Sequence, residues 1–294
     1  MLTRVTHHAP RATHFGFTLA EMMLVLVLSA IVLALVSSIG THLQRQLSDQ
    51  ATRVAVGEQL ATGAELLPLD LRGVSPSAGD IVEARDSVLQ IRATIASAVV
   101  CSASAGSVAL ATFFGAYRQS LAPPLQGGDT LWVLADEDSV ETWRPVRIAG
   151  WRRAAGVCSA LDASGSELVD LSHLWTADVP DTSAFAPRAV VRATRPLRFS
   201  FYRAGDGQWY LGLRTWNTAS AQFNVVQPLS GPYAPPSSAA TRFEYFDSSG
   251  MPWPLGDSSY STIARVEALL LAAASSSGVT AIDSQRVVVA LRNR

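Results

Sequence analysis

Hydrophobic and polar positions divide the chain into three regimes. From Phe17 to Gly40 the residues are apolar or small on every side, and Glu21 is the single charge. About two dozen residues in a helix, at roughly 1.5 Å each, cross a hydrocarbon core of roughly 30 Å, so this stretch predicts a membrane helix. From Thr41 to Arg72 apolar residues recur near helical spacing, at Leu43, Leu47, Val54, Leu60, Leu67 and Leu71, with Gln44, Arg45, Asp49, Arg53 and Glu58 between them. That pattern predicts an amphipathic continuation of the same helix, loosened at Gly57 and Gly63 and ended or kinked at Pro68. A straight helix from Phe17 to Leu71 would be about 80 Å long.

After a linker at Gly73 to Asp80, the apolar period shortens to two. Ile81 to Ile95 predicts two strands about a turn at Asp86-Ser87, and Val99 to Cys101 and Val108 to Phe114 predict two more. Leu131 to Leu134 and Thr142 to Ile148 follow, around the acidic run Asp136-Glu137-Asp138. The clearest hairpin sets Leu197, Phe199 and Phe201 against Trp209, Leu211 and Leu213 across Ala204-Gly205-Asp206-Gly207. Phe243 and Tyr245, Ile263 to Leu271, and Arg286 to Leu291 read as closing strands, with Pro228 to Pro236 and Ala272 to Gly278 as loops. The expected fold class is α+β, a long N-terminal transmembrane and stalk helix packed on a head of antiparallel β-sheets. No repeat of fixed period occurs.

Composition narrows the function. The 294 residues carry a formal charge of −1, and all 23 basic residues are Arg, which excludes lysine chemistry and gives no basic excess for nucleic acid. Cys101 and Cys158 are the two cysteines. A disulfide between them is permitted outside the cytoplasm, while two buried thiols in separate strands remain the other reading. No phosphate loop or zinc spacing is present, and no cofactor or metal is expected.

Ahead of the apolar run, Met1 to Gly16 carries Arg4, Arg11 and three histidines but no acid, followed by Phe17-Thr18-Leu19-Ala20-Glu21. An ordinary signal peptide has an apolar core of about 7–15 residues with a small-residue cleavage site after it; here an acid and a Gly-Phe junction precede a longer run. A carboxylate in such a helix costs on the order of 2.5–3.5 kcal/mol at the bilayer centre and asks for a cation. At these residues the chain resembles the type IV pilin and pseudopilin family. The resemblance implies a prepilin leader at 1–16, cleavage by prepilin peptidase between Gly16 and Phe17, and N-methylation of Phe17. It also implies that Glu21 acts in assembly, docking on the amine of a neighbouring Phe17. The expected layout is a transmembrane helix at 17–40, a stalk helix at 41–72 and a periplasmic head at 73–294 on a single-pass inner-membrane protein. Its expected partners are prepilin peptidase, other minor pilins or pseudopilins and the inner-membrane assembly platform.

A second resemblance lies at the other end. Val226 to Pro232, Phe243 to Asp247 ending at Gly250, and Ile263 to Leu270 are similar to the tail of the J-type minor pseudopilin of type II secretion and of PilW-like minor pilins. The middle, Gly79 to about Pro187, carries no such likeness.

Other constellations are sparse. His173 in Leu171-Ser172-His173-Leu174-Trp175 has no nucleophile motif near it, so an enzyme is not expected. Asp136, Glu137 and Asp138 are the one candidate for calcium, although six to eight oxygens are needed and an exposed turn explains them as well. Trp143-Arg144-Pro145-Val146-Arg147 and Trp151-Arg152-Arg153 interleave aromatics with cations, as single-strand or sugar-binding surfaces do. They motivate the alternative of a pilus-borne adhesin or DNA-uptake subunit, with Arg147, Arg152 and Arg153 as contacts; an ordinary surface strand shows the same alternation.

Overall fold

A capping box starts the long helix. Thr18 is extended, its Oγ1 accepts from the Glu21 N–H, and the Glu21 carboxylate accepts from the Thr18 N–H, which satisfies donors that a first turn leaves open. From there the computed structural model runs α1 (Leu19–Leu71) unbroken for 53 residues, about 80 Å at roughly 1.5 Å per residue. The structure describes residues 18–113, 126–137, 140–154, 158, 169–237, 240–276 and 279–292.

Only the later part of α1 meets the head. Thr52, Val56, Leu60, Gly63, Leu67, Asp70 and Leu71 are buried at steps of three and four, one face of a helix. The stripe expected from Leu43 onward is only partly buried: Leu43 and Leu47 are exposed because they precede the first fully buried position, Thr52, and Val54 because it lies off the face that Thr52, Val56 and Leu60 present. Pro68 neither ends nor replaces the last turn; α1 continues to Leu71, where the loss of one helical hydrogen bond costs least. Gly63 is a contact point rather than a weak spot. A Cβ there would lie 2.6 Å from Tyr233 Oη and 2.7 Å from Leu270 Cδ1, so glycine sets how closely helix and sheet approach.

The head begins with β1 (Ile81–Ala84), β2 (Val88–Ser104), β3 (Ser107–Phe113), β4 (Thr130–Glu137) and β5 (Val140–Arg147). Then come β6 (Gly150–Ala154), β7 (Val169–Asp178), β8 (Val190–Arg203), β9 (Trp209–Asn217), β10 (Gln222–Phe223) and β11 (Gln227–Tyr233). These form one antiparallel sheet of central order β10-β9-β8-β2-β3-β7-β6, with β1 on β2, β11 on β9, and the β4–β5 hairpin on β8. The strands β12 (Arg242–Asp247), β13 (Ile263–Ser276) and β14 (Val279–Ala290) form a second sheet in that order. The predicted hairpin is β8–β9, pairing Phe201 with Leu211 and Phe199 with Leu213. Two segments expected as loops are strands: Gln227–Tyr233 pairs with β9, and β13 continues through Ala272 to Ser276 against β14.

Two cores result. The first gathers Val56, Leu60, Leu67 and Leu71 of α1 with Leu89 and Ile91 of β2, Leu197 and Phe199 of β8, and Phe243, Val266 and Leu270 of the second sheet. The second gathers Ala98, Val100, Val108, Leu131, Val133, Ile148, Phe185 and Val191. Each fully buried Leu, Val or Phe contributes about 1.5–3 kcal/mol. The two long strands β2 and β8 pass through both cores, and a bulge between Thr94 and Ala96 falls where one gives way to the other. At that junction Arg195 is paired with Asp129, both fully buried, and Arg192 forks onto Asp80 at 2.6 and 2.9 Å.

Candidate functional site

Of the residues singled out by the sequence, Glu21 stands in the first turn of α1. Glu21 Oε2 accepts the Thr18 N–H at 2.9 Å and its hydroxyl at 3.1 Å, while Thr18 Oγ1 accepts the Glu21 N–H at 3.3 Å. The carboxylate is thus held against its own helix terminus, where the backbone N–H groups and helix dipole favour negative charge. One oxygen carries these bonds; the other takes none among the described residues and is open to a cation. Gly16 and Phe17 lie outside the described residues.

Behind Glu21 the helix is apolar on all sides and uncovered. The large side chains from Met22 to Val36 are 51 to 69 % exposed, in every direction around the axis. A helix hydrophobic all round is buried in something, and by length and composition α1 is able to cross a membrane.

The other candidates are dispersed. Asp136 is placed opposite Glu141 and Glu137 opposite Val140 at the tip of the β4–β5 hairpin, and Asp138 lies outside the described residues. No group of three metal-ligand side chains occurs among the described residues. His173 is within β7 and His42 is on the exposed helix beside Gln46. The aromatic and cationic run is split between two strands that do not pair with each other. Trp143 of β5 lies under Arg192 at 4.6 Å, whereas Trp151 of β6 stacks on Trp175 at 3.7 Å and Arg152 pairs with Asp178. These side chains hold strands together rather than lining one groove. Cys101 of β2 and Cys158, 57 residues apart, are joined as a disulfide.

Sequence reasoning missed the buried ion pairs. Burial pushes the Asp80 carboxyl above its ordinary range, against the Arg192 guanidinium and the Ser75 N–H that draw it down. No local pattern marks these partners, which are 112 and 66 residues apart.

The prokaryotic N-terminal methylation motif matches residues 11–37, the segment holding Gly16, Phe17, Thr18 and Glu21. No curated protein and no solved structure matches the chain. With the motif at 11–37 leading into a long apolar helix, the chain fits the type IV pilin and pseudopilin family.

Proposed function

We propose that this protein is a minor pilin or pseudopilin, a structural subunit of a type IV pilus or a type II secretion pseudopilus and not an enzyme. The observation that carries the reading is Glu21, standing in the first turn of an uncovered apolar helix inside the methylation motif, with one carboxylate oxygen held and one open. Prepilin peptidase cuts after Gly16, which creates an α-amine on Phe17 within one helical turn of Glu21, and methylation leaves that amine a cation. While the subunit waits in the membrane, Thr18 supplies two hydrogen bonds to the acid and lowers the cost of keeping it there. On assembly the open oxygen takes the Phe17 amine of a neighbour.

Residues 17–40 span the inner membrane once, 41–72 form the stalk and 73–294 the periplasmic head. Apolar helices pack in the filament core by close van der Waals contact, and the head selects its neighbours among other minor pilins or pseudopilins. The inner-membrane assembly platform is the machine on which this happens. Likeness of Phe243 to Gly250 and Ile263 to Leu270 to J-type and PilW-like tails supports a minor rather than a major subunit. The alternative of an adhesin or DNA-uptake subunit keeps less support, since the run that suggested it is divided between β5 and β6.

The test is intact mass and N-terminal sequence of the chain expressed with and without prepilin peptidase. A peptidase-dependent product beginning at methylated Phe17 is expected. A retained leader, or a cut beyond Ser37 by a general signal peptidase, defeats the proposal.

A further inference from the structure

The second sheet has one closed edge and one open edge. On the β12 side the Phe243 N–H donates to the Asp86 carbonyl and the Trp253 N–H to the Tyr245 carbonyl, so loops cover the strand. The other edge is β14. Leu291 donates its N–H to Ala264 of the facing chain, and hydrogen-bonded pairs alternate along an antiparallel ladder. Val289, Val287, Gln285, Asp283 and Ala281 therefore turn their backbone groups toward β13. Ala290, Val288, Arg286, Ser284 and Ile282 turn theirs outward, where no neighbouring strand pairs with them among the described residues.

β14 carries neither a proline nor a bulge, two of the devices that ordinarily protect a sheet edge, and α1 packs against its buried face. The β13–β14 register is regular from Arg265–Ala290 to Ser276–Val279. Ile282 and Val288 are 66 and 55 % exposed. Arg286, the charged residue among those turned outward, pairs with Glu267 at 2.6 Å and Glu244 at 3.2 Å, and Asp283 is a second exposed charge on the strand. At the upper end the Arg292 N–H donates to the Val74 carbonyl, which stops the open stretch there. Beside that stop lies a cleft of about 450 Å³ lined by Arg72, Arg292 and Val288 to Leu291. Both arginines are exposed, and neither has an acidic partner among the described residues.

We propose that β14 accepts an added strand: an extended segment of another polypeptide, with apolar side chains at alternate positions over Ile282 and Val288 and an acidic residue at the end that reaches Arg72 and Arg292. Main-chain hydrogen bonds to the outward groups supply binding, and the two arginines fix register and direction. The occupant is not β14 of a second copy in a filament, because a screw relation joins different surfaces of successive subunits and one edge cannot meet itself. That last step rests on the filament reading; the edge and its cations do not.

The experiment uses the full chain in detergent and a pool of extended peptides of about nine residues, the span of the open edge at roughly 3.3 Å per residue. Valine, isoleucine and threonine alternate along them, with two aspartates at one end or the other, and a matching pool carries lysines instead. Amide exchange and fluorescence anisotropy are read together. The aspartate pool is expected to protect the amides of Ile282, Ser284, Arg286, Val288 and Ala290. Val288→Pro, which removes one outward N–H and leaves the ladder to β13 whole, is expected to weaken binding roughly tenfold. The amides of Gln285, Val287 and Val289 report that the variant is folded. The double variant Arg72→Glu with Arg292→Glu leaves the backbone untouched and is expected to exchange the preference for the lysine pool. The proposal is overturned if no outward amide is protected at saturating peptide, or if charge reversal leaves the preference unchanged. It is equally overturned if protection rises with protein concentration in the absence of peptide, which would assign the edge to a second copy. None of these outcomes bears on whether Gly16–Phe17 is cleaved.

Discussion

At the scale of single residues, two glycines of α1 with the same sequence reading have opposite roles. Nothing lies within 4 Å of a Cβ built on Gly57, whereas one on Gly63 meets the Tyr233 hydroxyl, which donates to the Gln59 carbonyl at 2.9 Å. Gly57→Ala should stabilise the chain by about 0.5–1 kcal/mol through helix propensity. Gly63→Ala should destabilise it by about 1–3 kcal/mol through overpacking. Denaturant midpoints in detergent check both, and equal effects would show that the helix does not rest on Tyr233 and Leu270. The buried pair gives a second test. Removing Arg195 leaves the Asp129 carboxylate unmatched in a fully buried site, at a cost of about 3–5 kcal/mol, while replacing both with apolar residues should recover most of it. A double-mutant cycle reads the difference; additive losses would mean the two charges are not coupled.

Elements differed in how plainly they could be read. The start of α1 was legible from Thr18 and Glu21, and β8 and β9 from strict alternation, because in each case the signal is local. Over β2 the sequence predicts separate strands, since the bulge at Thr94 to Ala96 shifts which residues face the core and breaks period two. At the end of β13 the sequence predicts a loop because Ala272 to Ser276 lacks branched side chains; its strand character comes from the β14 partner. Gln227–Tyr233 hid behind its prolines, which an edge-type pairing with register shifts tolerates. The turn after β12 is held by one acid. Asp247 Oδ1 accepts from the Ser249 hydroxyl at 2.7 Å and from the Ser249 and Met251 N–H groups at 2.9 Å. These bonds, the Ser249 hydroxyl first, hold its carboxyl below the ordinary range. The folded value being the lower one, the turn is fully stabilised above the unfolded pKa of about 3.9 and loosens as pH falls through the folded value. Amide exchange at Ser249 and Met251 should therefore accelerate only in strong acid, and Asp247→Asn should remove that dependence; an unchanged acid response in the variant would assign it to another group.

For the whole molecule the division into two cores makes a claim about cooperativity. β2 and β8 are shared, but α1 and the second sheet bury their side chains only in the core beside the helix, while β3, β4 and Phe185 belong to the other. The disulfide ties Cys101, next to Val100 of that second core, to Cys158 and closes a span of 57 residues, a constraint worth roughly 4 kcal/mol in the chain-entropy account. The sequence could allow this bond but not establish it, because nothing local says that Cys158 returns to the end of β2. Cys101→Ser with Cys158→Ser should accelerate amide exchange in β3, β6 and β7 and leave β9, β13 and α1 from Thr52 onward protected. Such a pattern would mean that the outer part of the head can open while the part carried on the helix, and with it the stalk, stays folded. Uniform acceleration across both cores would instead show that Arg192–Asp80 and Arg195–Asp129 weld the head into one cooperative unit, in which case either buried pair, when broken, should unfold β13 as readily as β3.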